Sequence, residues 1–191
     1  VLNGAVEKLS KLKMGNALDE KSDIGAIISE EQLKRTLYYM DIAKKNSSTK
    51  ILHGGNQSKG GDYKDGFYYE PTLLSGLPVS SPVCQEEVFG PVACAIPFKS
   101  FDEVMESAND TQFGLSAVLW TKDLSRALQF VDEIEAGFVQ VNQCVAPRAN
   151  VSYGGIKMSG LGKEYAFDSM MNHFTQSKTI LINRGKSNLD V

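Results

Sequence analysis

The sequence is poor in the residues that build metal and disulfide sites. It has two histidines and three cysteines in 191 residues. Cys84, Cys94 and Cys144 are odd in number and show no CxxC spacing. Neither a disulfide framework nor a zinc site is expected from them, and a reducing, cytoplasmic setting is the simplest reading. With only His53 and His173 available, a histidine-rich metal site is not expected either. Long apolar runs are also missing: the longest, such as residues 92–98, are far too short to span a bilayer. The opening Val1-Leu2-Asn3-Gly4 has no basic segment followed by an apolar stretch, so it does not read as a signal peptide. Lacking an initiator Met, it reads as a piece cut from something longer. Charge of one sign is scarce: the formal net charge is -3, which gives no electrostatic reason to expect nucleic acid or a membrane surface as partner. Nucleotide-binding glycine loops are absent as well. Neither Gly60-Gly61-Asp62 nor Gly162-Lys163-Glu164 supplies the Ser or Thr that must follow the Lys of a P-loop. Gly154, Gly155, Gly160 and Gly162 do not make G-x-G-x-x-G after a strand, so a Rossmann fingerprint is lacking and any main dinucleotide site is expected elsewhere.

What is present is the composition of a folded domain: 42% hydrophobic and 23% charged residues. Leu2, Ala5, Leu9 and Leu12 have helical spacing. After a loop over 16–28, Ser29 with Gln32 forms a capping box that opens a helix to about residue 45. Strands are predicted over 50–53 and 68–74, separated by a glycine-rich surface loop over 54–66. Residues 90–98 and 115–120 are apolar on both faces, as buried strands are. Between them, Ser100 and Glu103 make a second capping box for a helix through residue 108. Leu124, Ala127, Leu128, Val131 and Ile134 share one helical face, which Gly137 ends. A strand over 138–141, a long loop, a helix over about 162–174 and a short strand over 179–183 complete the chain. Strand–helix alternation from 92 to 141 predicts an α/β fold: an open, mostly parallel twisted sheet flanked by helices. Ligands then belong at the carboxyl ends of the strands, where the loop after Val141 begins.

Two clusters carry candidate chemistry. Glu86-Glu87-Val88-Phe89-Gly90-Pro91 sets two carboxylates before a buried strand, which is costly unless they have partners. A carboxylate can accept hydrogen bonds from both hydroxyls of a ribose, and an adjacent aromatic can pack near a flat ring. The alternative, simpler on spacing alone, is a solvated acidic turn. The second cluster runs from Val141-Asn142 through a long loop to Tyr153-Gly154-Gly155-Ile156-Lys157-Met158-Ser159-Gly160-Leu161-Gly162-Lys163-Glu164. Its glycines require a backbone that turns tightly or approaches something closely. An ordinary connection ahead of a helix is the alternative.

Together with Ala108-Asn109-Asp110-Thr111 and Phe113-Gly114-Leu115, these clusters resemble the aldehyde dehydrogenase superfamily, in its order and at about its spacing, from residue 1 to about 183. The resemblance implies the C-terminal half of such an enzyme, with residues 1–174 a catalytic-domain portion and 175–191 an oligomerisation strand and tail. It implies oxidation of an aldehyde to an acid with NAD or NADP, through attack by a Cys thiolate, an oxyanion held by backbone and Asn donors, hydride transfer, and hydrolysis of a thioester. By motif position Glu87 resembles the residue that holds the nicotinamide ribose and Phe89 the aromatic beside it. Glu164 resembles a carboxylate that helps relay protons; alternatively it is an acid at a helix N-terminus. Cys144, Pro147 and Tyr153 fall where the family lines its aldehyde tunnel. The implied partners are a small aldehyde, the missing N-terminal half and further copies of the chain.

The resemblance also implies that the family's nucleophile, general base, oxyanion Asn and cofactor fold precede Val1. Of the cysteines present, Cys94 reads as core and Cys144 is the best placed to replace the nucleophile. The Glu pair beside Cys84 is expected to raise its thiol pKa. His173 reads as a helix-surface residue. Ser152-Tyr153 stands where many members have Pro-Phe, and Arg148 adds a cation near the tunnel mouth. The competing functions are a non-catalytic binding or assembly module of the same fold and a Cys144 thiol hydrolase.

Overall fold

The computed structural model describes residues 1–182. The chain divides into two compact units, Val1–Ser107 and Ala108–Val191.

In the first unit, α1 (Leu2–Leu9) leads through a bridged loop to α2 (Glu30–Lys45). The Ser29 hydroxyl caps α2 by accepting the Gln32 N–H at 3.1 Å, as the sequence predicts. The Gln32 side chain does not return to Ser29; its amide reaches across the unit, as described below. Strands β1 (Lys50–His53), β2 (Thr72–Ser75) and β3 (Val92–Ala95) form a sheet in that order. The β1–β2 pair is antiparallel and β2–β3 parallel, with Leu73 opposite Ala93 and Leu74 opposite Cys94. A short helix with proline at its start, α3 (Pro82–Gln85), precedes the Glu pair. The core joins Leu33, Tyr39, Met40 and Ala43 of α2 to Tyr69, Leu74, Leu77, Val83 and Val88. Apolar residues four and three apart on α2 supply its inner stripe, while Glu30 with Lys34 decorates the outside.

Tyr69 is fully buried, and among the described residues its hydroxyl makes no hydrogen bond. An unsatisfied buried hydroxyl costs about 1–3 kcal/mol, so Tyr69→Phe is expected to leave stability at neutral pH unchanged or slightly raised. Burial also pushes the Tyr69 phenol from its ordinary value of 10.0 up to about 12. A pKa raised on folding means stability that is complete below the unfolded value and is lost as pH climbs from about 10 to about 12. Urea denaturation at pH 7 and pH 11 checks both points: wild type loses stability at the higher pH and Tyr69→Phe loses less of it.

Helix α4 (Phe101–Asn109) leads from the first unit into the second. Its Ser100 hydroxyl accepts the Glu103 N–H at 3.1 Å, and the Glu103 carboxylate accepts the Lys99 N–H rather than that of the cap. The second unit contains β4 (Phe113–Gly114), β5 (Ser116–Leu119), α5 (Leu124–Glu133), β6 (Phe138–Val141), β7 (Ile156–Lys157) and α6 (Phe167–Phe174). Strands β5 and β6 are parallel, Ser116 opposite Phe138 and Leu119 opposite Val141, joined through α5 in a βαβ unit. Strands β4 and β7 form a separate antiparallel pair.

The α/β class and the parallel pairs match the expectation, but four expectations differ from the structure. The strands read as buried on both faces are half exposed: β3 ends at Ala95, leaving Phe98 exposed, and Trp120 beyond β5 is exposed. On α5, Ala127 and Phe130 are buried while Leu124, Leu128 and Val131 face outward. Each parallel pair lies in a sheet of only two or three strands, and a strand's faces are covered only by what packs on the sheet, which apolar composition does not report. Helix α6 also starts at Phe167 rather than near Gly162, because Glu164 is held in a β-bridge to Tyr153. Thr179 to Ile182 of the predicted last strand pair with no other strand among the described residues, and Asn183 lies outside them.

Candidate functional site

The turn before β3 is built from the backbone outward. Arg35 of α2 donates twice to the Glu87 carbonyl, from Nη2 at 2.6 Å and Nε at 3.0 Å. The Gln32 amide donates to the carbonyls of Val88 at 2.9 Å and Phe89 at 2.8 Å. Arg35 also lies 5.4 Å from the Tyr39 ring centre. The Tyr39 hydroxyl donates to the Glu86 carboxylate at 2.7 Å, and this bond, aided by burial, raises the Tyr39 pKa. Val88 is anchored in the core. A Cβ at Gly90 would meet the Thr36 hydroxyl at 2.5 Å, so the turn packs directly on α2.

These anchors separate the two carboxylates that the sequence presents as a pair. Glu86 is engaged by Tyr39. The Glu87 carboxylate is exposed and, among the described residues, has no hydrogen bond or ion pair, although its own carbonyl is doubly held. Phe89 adopts φ of 55° and its side chain is 71% exposed. A left-handed conformation at a bulky aromatic is costly, and here α2 holds it in place through the Phe89 carbonyl. The turn thus presents one free carboxylate and one free aromatic ring from a rigid backbone. Arg35 was not singled out from sequence and Gln32 only as part of the α2 cap; they lie about fifty residues upstream, and no local signal links them to the turn.

The second cluster is a set of struts in the other unit. The Lys163 ammonium donates to the carbonyls of Gly154 at 2.7 Å, Gly155 at 3.3 Å and Gly137 at 3.4 Å. A Cβ at Gly137 would collide with the Gly154 carbonyl, and one at Gly154 with the Gly162 carbonyl, which explains why glycine stands at both. Lys157 donates to the carbonyls of Asn109 at 3.0 Å and Thr111 at 3.1 Å and pairs with Glu135. The Asn109 amide bridges the Glu133 carbonyl and the Glu135 N–H, and the Ser159 hydroxyl accepts the Gly114 N–H. Asn142, at φ of 53°, exchanges two hydrogen bonds of 2.8 Å with the Thr121 backbone, latching the ends of β5 and β6. Most polar residues of the motif therefore satisfy backbone groups.

Glu164 and Tyr153 are brought together by backbone hydrogen bonds of 2.8 and 3.0 Å. The Tyr153 ring packs edge-on against Phe138 and Tyr165. Glu164 is exposed, its side chain has no partner among the described residues, and it borders a cavity of about 300 Å³ with Tyr165, Met170 and Phe174. It precedes the Ala166 cap of α6, and the acid of the first turn is Asp168, so the helix-terminus reading of Glu164 does not hold. His173 is on the exposed surface of α6, as expected. Cys144 is exposed and Pro147 half-buried on the loop after β6, beside a cavity of about 210 Å³ whose walls include Gln140, Gln143, Val145 and Arg148.

The candidate groups of this α/β chain lie on loops that enter or leave parallel strands. The sequence pattern of the aldehyde dehydrogenase family matches residues 1–180, and the chain belongs to that family. It is 38% identical over 178 residues to aldehyde dehydrogenase B of Escherichia coli, covering 93% of this chain and 34% of that protein. It is 39% identical over 182 residues to the fluoroacetaldehyde dehydrogenase of Streptantibioticus cattleyicolor, covering 95% and 35%. The betaine aldehyde dehydrogenase of Staphylococcus aureus, solved in complex with NAD+, superposes with a TM-score of 0.88 at 31% identity, over 98% of this chain and 37% of that one. The chain thus spans about a third of the length of the curated relatives it matches.

Proposed function

We propose that the chain is the part of an NAD(P)-dependent aldehyde dehydrogenase that grips the nicotinamide ribose and closes the substrate channel. The observation that carries this reading is the Glu87 carboxylate: exposed, without a partner among the described residues, on a turn whose carbonyls Arg35 and Gln32 hold. A free carboxylate on a fixed backbone fits a vicinal diol, since it can accept from both hydroxyls without reorganising. Phe89 supplies an apolar face beside it. A nicotinamide cofactor held there would supply the hydride acceptor. Cys144, Pro147 and Tyr153 line the aldehyde's approach, and Glu164 takes part in moving a proton to or from the water that completes hydrolysis. The nucleophilic Cys that forms the thiohemiacetal and thioester, and the main cofactor fold, belong to sequence outside these 191 residues. Outward-facing Leu124, Leu128 and Trp120, and Leu181 at 93% exposure, support cover by the rest of the enzyme and by further copies of the chain. The setting is cytoplasmic.

A non-catalytic assembly module is the second reading, favoured by the same apolar surface. Assay of the isolated 191-residue chain tests the division of labour. It is expected to form no NADH or NADPH from acetaldehyde or benzaldehyde. Turnover by this chain, abolished by Cys144→Ala, would overturn the proposal and assign thiol chemistry to Cys144.

A further inference from the structure

The loop after β6 borders a cavity to which the roles above give no occupant. It lies within the second unit and measures about 210 Å³. That is below the roughly 300–1,000 Å³ of a pocket that encloses a whole small molecule, so it suits one end of a ligand. Its walls are set by the fold. Phe138 is pinned by its edge-on contact with Tyr153. The Val151 N–H donates to the Arg148 carbonyl at 3.1 Å, which closes a turn through Asn150 at φ of 64°. The Asn150 N–H in turn donates to the Tyr165 carbonyl at 2.8 Å.

Gln140 of β6 lines this cavity and is only 6% exposed. Its Oε1 accepts the Val145 N–H at 3.0 Å, a bond that only the oxygen end of the amide can make. The Nε2 group is what Gln140 has left to offer the cavity, and among the described residues it has no acceptor. A donor on so buried a side chain is costly to leave unmade, and an acceptor on a ligand removes the cost. Arg148 lines the same cavity, and among the described residues its guanidinium makes no hydrogen bond and no ion pair. No Asp or Glu is among the residues that line it. Phe138 and Val151 supply apolar wall beside the two donors. One neutral donor and one permanent cation next to apolar wall fit an anion of single charge on an apolar stem. A carboxylate carries one charge and matches the planar fork of a guanidinium. A phosphate ester would set close to two negative charges against one cation.

We infer that this cavity receives a carboxylate at the far end of the substrate, and that Arg148 and Gln140 make the complete enzyme selective for ω-oxo acids, aldehydes that carry an acid at the other end of a short chain. The inference rests on the proposed function, which places Cys144 and Pro147, on the same loop as Arg148, along the aldehyde's approach. Arg148 grips the carboxylate through paired N–H donors, and the Gln140 amide donates to one of its oxygens. Neither residue acts at the aldehyde carbon; both determine specificity. They hold the remote end of the substrate equally before and during the chemical step, so their loss raises KM more than it lowers kcat.

The test uses the complete enzyme with succinic semialdehyde and with butanal, which has the same carbon chain and a methyl group in place of the carboxylate. The ratio of their kcat/KM values is read from formation of NADH or NADPH. Wild type is expected to favour the semialdehyde by about tenfold or more. Arg148→Met keeps the apolar stem and removes the charge. It is expected to lower the ratio about tenfold to a hundredfold, through KM for the semialdehyde. Arg148→Lys retains the charge without the fork and is expected to fall between wild type and Arg148→Met. Gln140→Glu keeps an acceptor for the Val145 N–H but sets carboxylate against carboxylate, so it too is expected to lower the ratio. Wild type that uses butanal as well as the semialdehyde, or better, overturns the inference and leaves the aldehyde dehydrogenase reading standing. So does a ratio that Arg148→Met does not move. Formation of no NADH or NADPH from either aldehyde or from benzaldehyde overturns that reading and the inference with it. The wild-type ratio decides alone if a variant fails to fold.

Discussion

In the complete enzyme, Glu87→Gln is expected to slow hydride transfer about tenfold to a hundredfold, because hydrogen bonds to a charged acceptor are worth about 1.5–3 kcal/mol and each 1.4 kcal/mol is about tenfold in rate. The amide keeps the shape of the side chain, and the backbone held by Arg35 and Gln32 should not move. What changes is the acceptor. A carboxylate can receive both ribose hydroxyls, whereas an amide offers one oxygen and two N–H donors. The nicotinamide is then free to leave the geometry from which hydride transfers, so the loss falls on the chemical step more than on cofactor affinity. Single-turnover formation of NADH at saturating aldehyde measures it. Glu86→Gln serves as the control, since the Glu86 carboxylate is occupied by the Tyr39 hydroxyl. Equal, small effects of both substitutions would mean that the two carboxylates form a solvated turn and that Glu87 has no hold on the cofactor.

Lys163→Met is expected to loosen the loop that presents Glu164 and to cost about 2–4 kcal/mol, the range for removing a charged donor from several carbonyls that have packed around it. Lys163 is half-buried, so the estimate stays at the lower part of what a fully enclosed cation would give. Methionine keeps much of the apolar stem, which confines the change to the loss of donors to Gly137, Gly154 and Gly155. Those glycines approach one another too closely for any side chain to fill the gap. Amide hydrogen exchange at Tyr153 and Glu164, which bond to each other's carbonyls, reports the loosening locally, and urea denaturation gives the total. Unchanged exchange at these two amides would show that the β-bridge holds without the strut, and would make Lys163 a surface lysine.

Short-range features were the most legible in the sequence. The capping serines Ser29 and Ser100 sit where helices start because a hydroxyl and an N–H three residues on are neighbours in any helix. The parallel pairing of β5 with β6 follows from periodicity and from the length of the crossover, whereas α5 ends at Glu133 with Ile134 as an extended cap, before the expected stop at Gly137. Exposure was less legible. Leu128, 59% exposed, shares its helical spacing with Leu124 and Val131, which are exposed too, while Ala127 and Phe130 are the buried residues of α5; periodicity reports an apolar face without reporting what covers it. The motif carrying Tyr153 to Glu164 reads in sequence as a backbone that turns tightly, and its lysines satisfy carbonyls within the unit.

The sequence by itself determined where the helices begin, that the chain is α/β, and which residue types surround the two motifs, because caps, turns and periodicity depend on residues a few positions apart. Only the tertiary structure decided that Glu87 and not Glu86 is the free carboxylate, and that the Gln32 side chain bonds the Val88 and Phe89 carbonyls instead of closing the capping box at Ser29. Each of these depends on which groups the packed core brings within about 3 Å, the range in which a hydrogen bond counts, and residues some fifty positions apart reach that range only once the chain between them has folded.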